Sequence, residues 1–104
     1  MKPNLNKIDE ISEGDLVFKQ KMIDILKKEF PEEKSNYHYL IENGKYEECS
    51  KLIHKIKHKI NILDLKNGYI IAQNFEVDLK NNKLELKENF DEILSVINTF
   101  IKTL

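Results

Sequence analysis

The chain has 104 residues, a length that holds one domain with a modest core of its own. Hydrophobic residues make up 40% and charged residues 34%, which excludes a disordered, low-complexity tail. The formal net charge of −1 argues against DNA or RNA as the main partner, and all 17 basic residues are lysine, so any phosphate here meets point charges and no bidentate guanidinium.

The start, Met1-Lys2-Pro3-Asn4, leads into polar sequence with no secretory apolar run, and no stretch approaches the ~20 apolar residues of a membrane-spanning helix. With only one cysteine, Cys49, the expected setting is the cytoplasm. Leu5, Ile8 and Ile11 recur at steps of three, the mark of a short amphipathic turn or two lying across the main body. Ser12-Glu13-Gly14-Asp15 breaks that pattern, and Ser12 or Asp15 is suited to cap the next helix. From Leu16 to Phe30 the apolar residues Phe18, Met22, Ile25, Leu26 and Phe30 keep mostly helical steps. Pro31 is expected to end this helix and open another, with Glu32 and Glu33 at its positive end and Tyr37, Leu40 and Ile41 inward. Asn43-Gly44 ends it, because both residues tolerate left-handed backbone.

The next helix, from about Lys45 to Leu63, has one apolar seam of Cys49, Leu52, Ile53, Ile56, Ile60 and Leu63. Cys49 on that seam reads as a small core residue, since an oily site disfavours the thiolate. Asp64 marks a turn or cap. A further helix covers about Leu65 to Leu79, with Leu65, Tyr69, Ala72, Phe75 and Leu79 inward and Asn67-Gly68 weakening its beginning. After the polar connection Asn81-Asn82-Lys83, the last helix, about Leu84 to Ile101, carries Leu86, Phe90, Ile93, Leu94, Ile97 and Ile101 on one side. No segment alternates long enough for a strand. Short loops between amphipathic helices predict an all-α fold, an up-and-down antiparallel four-helix bundle with a short N-terminal helical extension, forming one domain over residues 1–104.

The chemistry concentrates in Leu52-Ile53-His54-Lys55-Ile56-Lys57-His58-Lys59-Ile60. At about 100° per residue, His54 lies roughly 150° and His58 roughly 170° from the centre of the seam, so both rings face water or its edge. Lys57 follows one turn after His54, about 60° away around the helix and within side-chain reach. An imidazole of ordinary basicity, with a reference pKa of about 6.5, is mostly neutral near neutral pH and needs no buried base to act as a nucleophile towards phosphorus. Lys57 is placed to meet the new charge, and Lys51, Lys55 and Lys59 to steer an acidic partner. Ser50 and Asn61 lie roughly 40° and 20° from His54 on the wheel and are expected to border the same docking surface. His54 and His58, four apart, also resemble half a metal site, but no third ligand stands at a matching spacing. For His38, between two tyrosines, a surface or helix-packing role is expected.

His54-Lys55-Ile56-Lys57 resembles the core motif of histidine phosphotransfer domains: His, any residue, an aliphatic residue, Lys. The likeness extends upstream to Gly14-Asp15 followed by Phe18, the helix opened by Pro31, the Asn43-Gly44 turn and Tyr46, and so spans nearly the whole chain. The resemblance implies a helical bundle that relays a phosphoryl group between receiver-domain aspartates through His54, with Lys57 near the phosphoryl oxygens. It implies a phosphocarrier rather than a turnover enzyme, and a monomer. The partner is the receiver domain of a response regulator or of a hybrid histidine kinase, met by Ser50, Lys51, Lys55, His58 and Asn61. No cofactor is expected on this chain, since the Mg²⁺ such a transfer requires would sit on the partner. Two positions depart from the family pattern: His58 and Asp64 stand where glycine is usual. The alternative that follows from them is a docking module for a receiver or kinase domain that works without phosphorylation. Met1 and the helical finish at Leu104 favour a free-standing protein.

Overall fold

Each segment with apolar residues at steps of three and four forms a helix over most of its length, and no strand forms. The computed structural model describes residues 1–104. It contains α1 (Asn6–Ser12), α2 (Leu16–Glu42), α3 (Tyr46–Ile62), α4 (Lys66–Lys80) and α5 (Lys87–Ile101). α3 packs against α2 and α4, α5 packs against α2 and α4, and α1 lies on α2. None of the helices is long and apolar enough to cross a membrane.

α2 corrects the expected division at Pro31. The segment is one helix of 27 residues with Pro31 inside it. At 1.5 Å per residue that is about 40 Å, nearly the whole 44 Å long axis of the molecule. Proline removes one helical hydrogen bond and crowds the carbonyl four residues back, but Pro31 is exposed, where water can serve that carbonyl. The buried stripe Ile23, Leu26, Phe30, Tyr37 and Ile41 continues in phase on both sides of it. Glu29 and Glu33, which straddle Pro31, both bind Lys59 of α3, at 3.0 Å each, and tie the two halves to one neighbour.

The inward face of α2 also differs from the one expected. Ile23 is buried, whereas Phe18 and Ile25 are 43% and 53% exposed. Phe18, Met22 and Ile25 follow a helical spacing of their own on another side of the helix, so the sequence carries two apolar stripes and the core takes one. In α1 only Ile8 of the expected trio is fully buried, and Ile11 is exposed. The last helix begins at Lys87 rather than near Leu84, because Leu84 to Leu86 form a turn after the left-handed Asn82.

The core joins Ile8, Leu26, Phe30, Tyr37 and Ile41 to the seam of α3, to Ala72, Phe75 and Leu79 of α4, and to Phe90, Ile93, Leu94, Ile97 and Ile101 of α5. At its centre the Tyr37 and Phe90 rings meet edge to face at 5.0 Å, and Phe75 lies 5.5 Å from Phe90. The Tyr37 hydroxyl donates to Asp91 Oδ1 at 2.7 Å, which gives a buried phenol its required partner. Cys49 is fully buried, as its place on the seam implied.

Two turns set the ends of α3. Gly44 has a φ of +67°, a conformation that costs glycine little. After α3, Asp64 takes a φ of +62° and its carboxylate accepts from Asn4 Nδ2 at 3.1 Å. It is a turn residue rather than a helix cap: α4 starts beyond Leu65 with no side-chain cap. The left-handed backbone at position 64 is a site where glycine would serve as readily.

Candidate functional site

The site is assembled where α3 crosses α4. Ser50 is fully buried, and its Oγ donates to the backbone carbonyl of Glu76 at 2.8 Å, fastening α4 to α3 at that level. One helical turn further along α3, the Glu76 side chain reaches back over the seam. Its Oε2 lies 3.1 Å from His54 Nδ1, and its Oε1 lies 3.0 Å from Lys57 Nζ. One carboxylate therefore spans both residues of the motif. The His54 side chain is 55% exposed while those of Lys57 and Glu76 are 10% and 15% exposed, so the ring stands in solvent on a largely enclosed ion pair. The Lys57 stem runs inward past Tyr69, with Nζ 5.6 Å from the ring centroid.

Partial burial pushes the Glu76 carboxyl up, but Lys57 and His54 outweigh it and hold the group below the usual carboxylate range. Glu76 is thus a carboxylate at neutral pH. A carboxylate facing Nδ1 favours the tautomer that carries its proton there, which leaves the Nε2 lone pair free. The aliphatic seam of α3 is buried on the side away from His54, and the His54 side chain is left more than half exposed.

His58 lies one turn beyond. Its ring meets His54 edge to face at 5.2 Å. His58 also lines a groove of about 220 Å³ with Ile8, Met22, Ile25, Leu26, Lys59 and Ile62. The start of α2 also exposes Leu16 and Val17. Lys59 does not belong to a free cationic patch. Burial lowers its pKa, but the carboxylates of Glu33 and Glu29 raise it further, and the ammonium is committed to that pair.

Of the residues expected at the docking surface, Lys51, Lys55, His58 and Asn61 are exposed. Asn61 accepts a hydrogen bond from Lys7 at 2.9 Å, which ties α1 to the end of α3. Lys51 sits at the other end, in a depression with Glu47 and Lys80, away from the groove. Ser50 is a correction: it faces the α3–α4 seam, and its hydroxyl is occupied by a backbone carbonyl. Its wheel angle is close to that of His54, but α4 covers the helix at position 50 and leaves it open at 54. Lys57 differs in a related way, since its ammonium is buried and paired instead of free in water. His38 is half-buried, and its ring meets that of its chain neighbour Tyr37 edge-on at 5.1 Å.

Glu76 joins His54 and Lys57 in the structure without having stood out in the sequence. Its signal was present: it falls four residues after Ala72 and three before Leu79, a charge on the flank of an otherwise apolar stripe. Such a charge needs a partner from the facing helix, and Lys57 is that partner.

No protein-family profile, curated protein or solved structure matches this chain. The arrangement itself sets a half-exposed imidazole and a lysine on one carboxylate, with an apolar groove beside the neighbouring His58.

Proposed function

We propose that this protein is a histidine phosphotransfer intermediate, taking a phosphoryl group from a receiver-domain aspartate on His54 and giving it to another. The observation that supports this best is the His54 ring, braced through Nδ1 at 3.1 Å and more than half exposed, with the Lys57 ammonium on the same carboxylate. In the transfer the Nε2 lone pair attacks phosphorus, the P–O bond of the aspartyl phosphate breaks, and its electron pair leaves on the aspartate. Lys57 offers charge to the phosphoryl oxygens. The Mg²⁺ and the acidic pocket belong to the partner, a receiver domain of a response regulator or hybrid kinase. The reaction reverses along the same path, which makes the protein a carrier and not a turnover enzyme.

In this reading α2 to α5 are the four helices of an up-and-down antiparallel bundle and α1 is its N-terminal extension. The contacts α2–α3, α3–α4, α4–α5 and α5–α2 support that arrangement. The receiver docks on the groove beside His58, with Met22, Ile25 and Ile62 meeting its apolar side and Lys55 its acidic rim. The protein works as a cytoplasmic monomer.

The test is incubation with a phosphorylated receiver domain, followed by a search for acid-labile, base-stable label. The expected result is label on the wild type and none on His54→Gln. Label that persists in His54→Gln and disappears in His58→Gln would move the site. A wild type that binds the receiver and takes no label from it would leave a docking module in place of a carrier.

A further inference from the structure

The two histidines of α3 meet on its exposed face, and their contact has chemistry of its own. His54 and His58 stand one helical turn apart, both exposed, with ring centroids 5.2 Å apart and ring planes at 89°. We propose that the pair chelates a zinc ion through Nε2 of each ring, with water in the remaining positions. No group of three or more histidine, cysteine, aspartate or glutamate side chains is placed to hold a metal, so the site is a two-ligand chelate, open to solvent and readily exchanged.

The spacing of the rings fits that ion. A zinc–nitrogen bond is about 2.0–2.1 Å, and an imidazole nitrogen lies about 1.15 Å from its ring centroid, so a bound zinc sits about 3.2 Å from each centroid. Across a tetrahedral angle this places the two centroids about 5.2 Å apart, which is the spacing observed. The right-angled pair of a square-planar or octahedral ion would bring them to about 4.5 Å. The centroid of an imidazole lies close to its Cβ–Cγ axis. Turning either ring about that bond therefore aims its Nε2 and leaves the spacing nearly unchanged.

The surroundings favour a cation more than the number of lysines on α3 suggests. His54 Nδ1 faces Glu76 Oε2 at 3.1 Å, and a carboxylate on the far nitrogen fixes a metal-binding ring and makes its other nitrogen the better donor. Lys57 is paired with that same carboxylate, and Lys59 with Glu29 and Glu33. Lys51 and Lys55 are exposed, where water and salt screen them. One consequence, which alone rests on the phosphotransfer reading above, is competition. Zinc takes the Nε2 lone pair that would attack phosphorus, so a loaded chelate is a blocked carrier.

The test is titration of the intact protein with zinc chloride, followed by calorimetry and by nitrogen-15 NMR of the histidine rings. One equivalent should bind and shift the His54 and His58 ring signals together. His54→Gln and His58→Gln should each weaken binding by at least the roughly tenfold that loss of even an outer partner costs a metal site, and His38→Gln should leave it unchanged. Binding that survives His58→Gln, or wild-type shifts confined to one ring, would overturn the chelate; the second result needs no variant to fold.

Labelling tests the competition separately. Phosphoramidate is a small phosphoryl donor that needs no docking surface: its P–N bond breaks as the His54 N–P bond forms, and ammonia leaves. Zinc should suppress labelling of wild type, EDTA should restore it, and His58→Gln should label whether or not zinc is present. Equal suppression in His58→Gln would place the effect of zinc on the donor and overturn the competition. A wild type that binds zinc one to one, yet takes no label from phosphoramidate or from a receiver, would remove the phosphotransfer reading and leave the chelate standing.

Discussion

Replacing Lys57 by methionine tests the balance inside the site. Methionine keeps most of the stem that packs beside Tyr69 and removes only the ammonium. Glu76, 15% exposed, is then left with His54 Nδ1 as its one close partner. Breaking a fully buried ion pair from one side costs about 3–5 kcal/mol. Here the carboxylate keeps a hydrogen bond and some water, so the expected loss at pH 7 is about 2 kcal/mol. For a domain of this size that lowers Tm by about 10 °C. Urea titration should show an earlier midpoint with an unchanged slope, since the variant exposes the same surface on unfolding. The pH dependence carries the sharper test. The Glu76 carboxyl is held below its ordinary value of 4.5 in the folded wild type. Its contribution to stability is therefore present above that value and is lost as pH falls through the folded pKa. In Lys57→Met the largest opposing influence is gone and burial pushes the carboxyl up, so protonation relieves the variant before it harms the wild type. The gap between them should be widest at neutral pH and narrow below about pH 5. A gap that stays flat from pH 7 to pH 4 would refute the pairing of Lys57 with Glu76.

The other expectations concern the groove, the core and one buried thiol. Ile25→Lys sits on an exposed position of α2 and should fold normally, yet slow transfer from a receiver on the order of tenfold while leaving labelling by phosphoramidate untouched; equal effects on both donors would remove the groove from docking. Tyr37→Phe deletes the 2.7 Å bond to Asp91 and should cost about 1–2 kcal/mol by denaturant titration. Gly68→Ala would place a Cβ 3.2 Å from Ile60 Cγ2 and 3.3 Å from Leu65 Cβ. The crowding should outweigh the better helix propensity of alanine for a net loss of about 1 kcal/mol, whereas a gain in Tm would mean that α3 and α4 yield easily. Burial, helped by the nearby Asp91 charge, pushes the Cys49 thiol up to about 12; it should resist thiol reagents in the folded protein and react on unfolding, and rapid labelling of native protein would contradict its burial.

The seam of α3 was legible because six residues obey one period, and its burial left His54 and His58 exposed as the wheel angles required. The break at Pro31 was misread for an equally local reason. Proline is a strong stop signal over a few residues, but the stripe from Ile23 to Ile41 and the grip of Lys59 on both Glu29 and Glu33 are longer-ranged, and they hold the helix through it. Ser50 and Lys57 show the limit of a single-helix projection. A wheel describes directions around one axis, and it does not know how far along that axis the neighbouring helix lies.

Periodicity alone gives the helical character of each segment and the apolar face of α3, because both follow from the 3.6-residue repeat acting within one segment. The packing of α4 onto α3 decides the rest: Ser50 disappears beneath it, Lys57 is drawn inward, and Glu76, 22 positions from His54 in the chain, arrives at its ring. Electrostatic partners in a low-dielectric seam are chosen by distance in space, and that distance exists only once two helices have met.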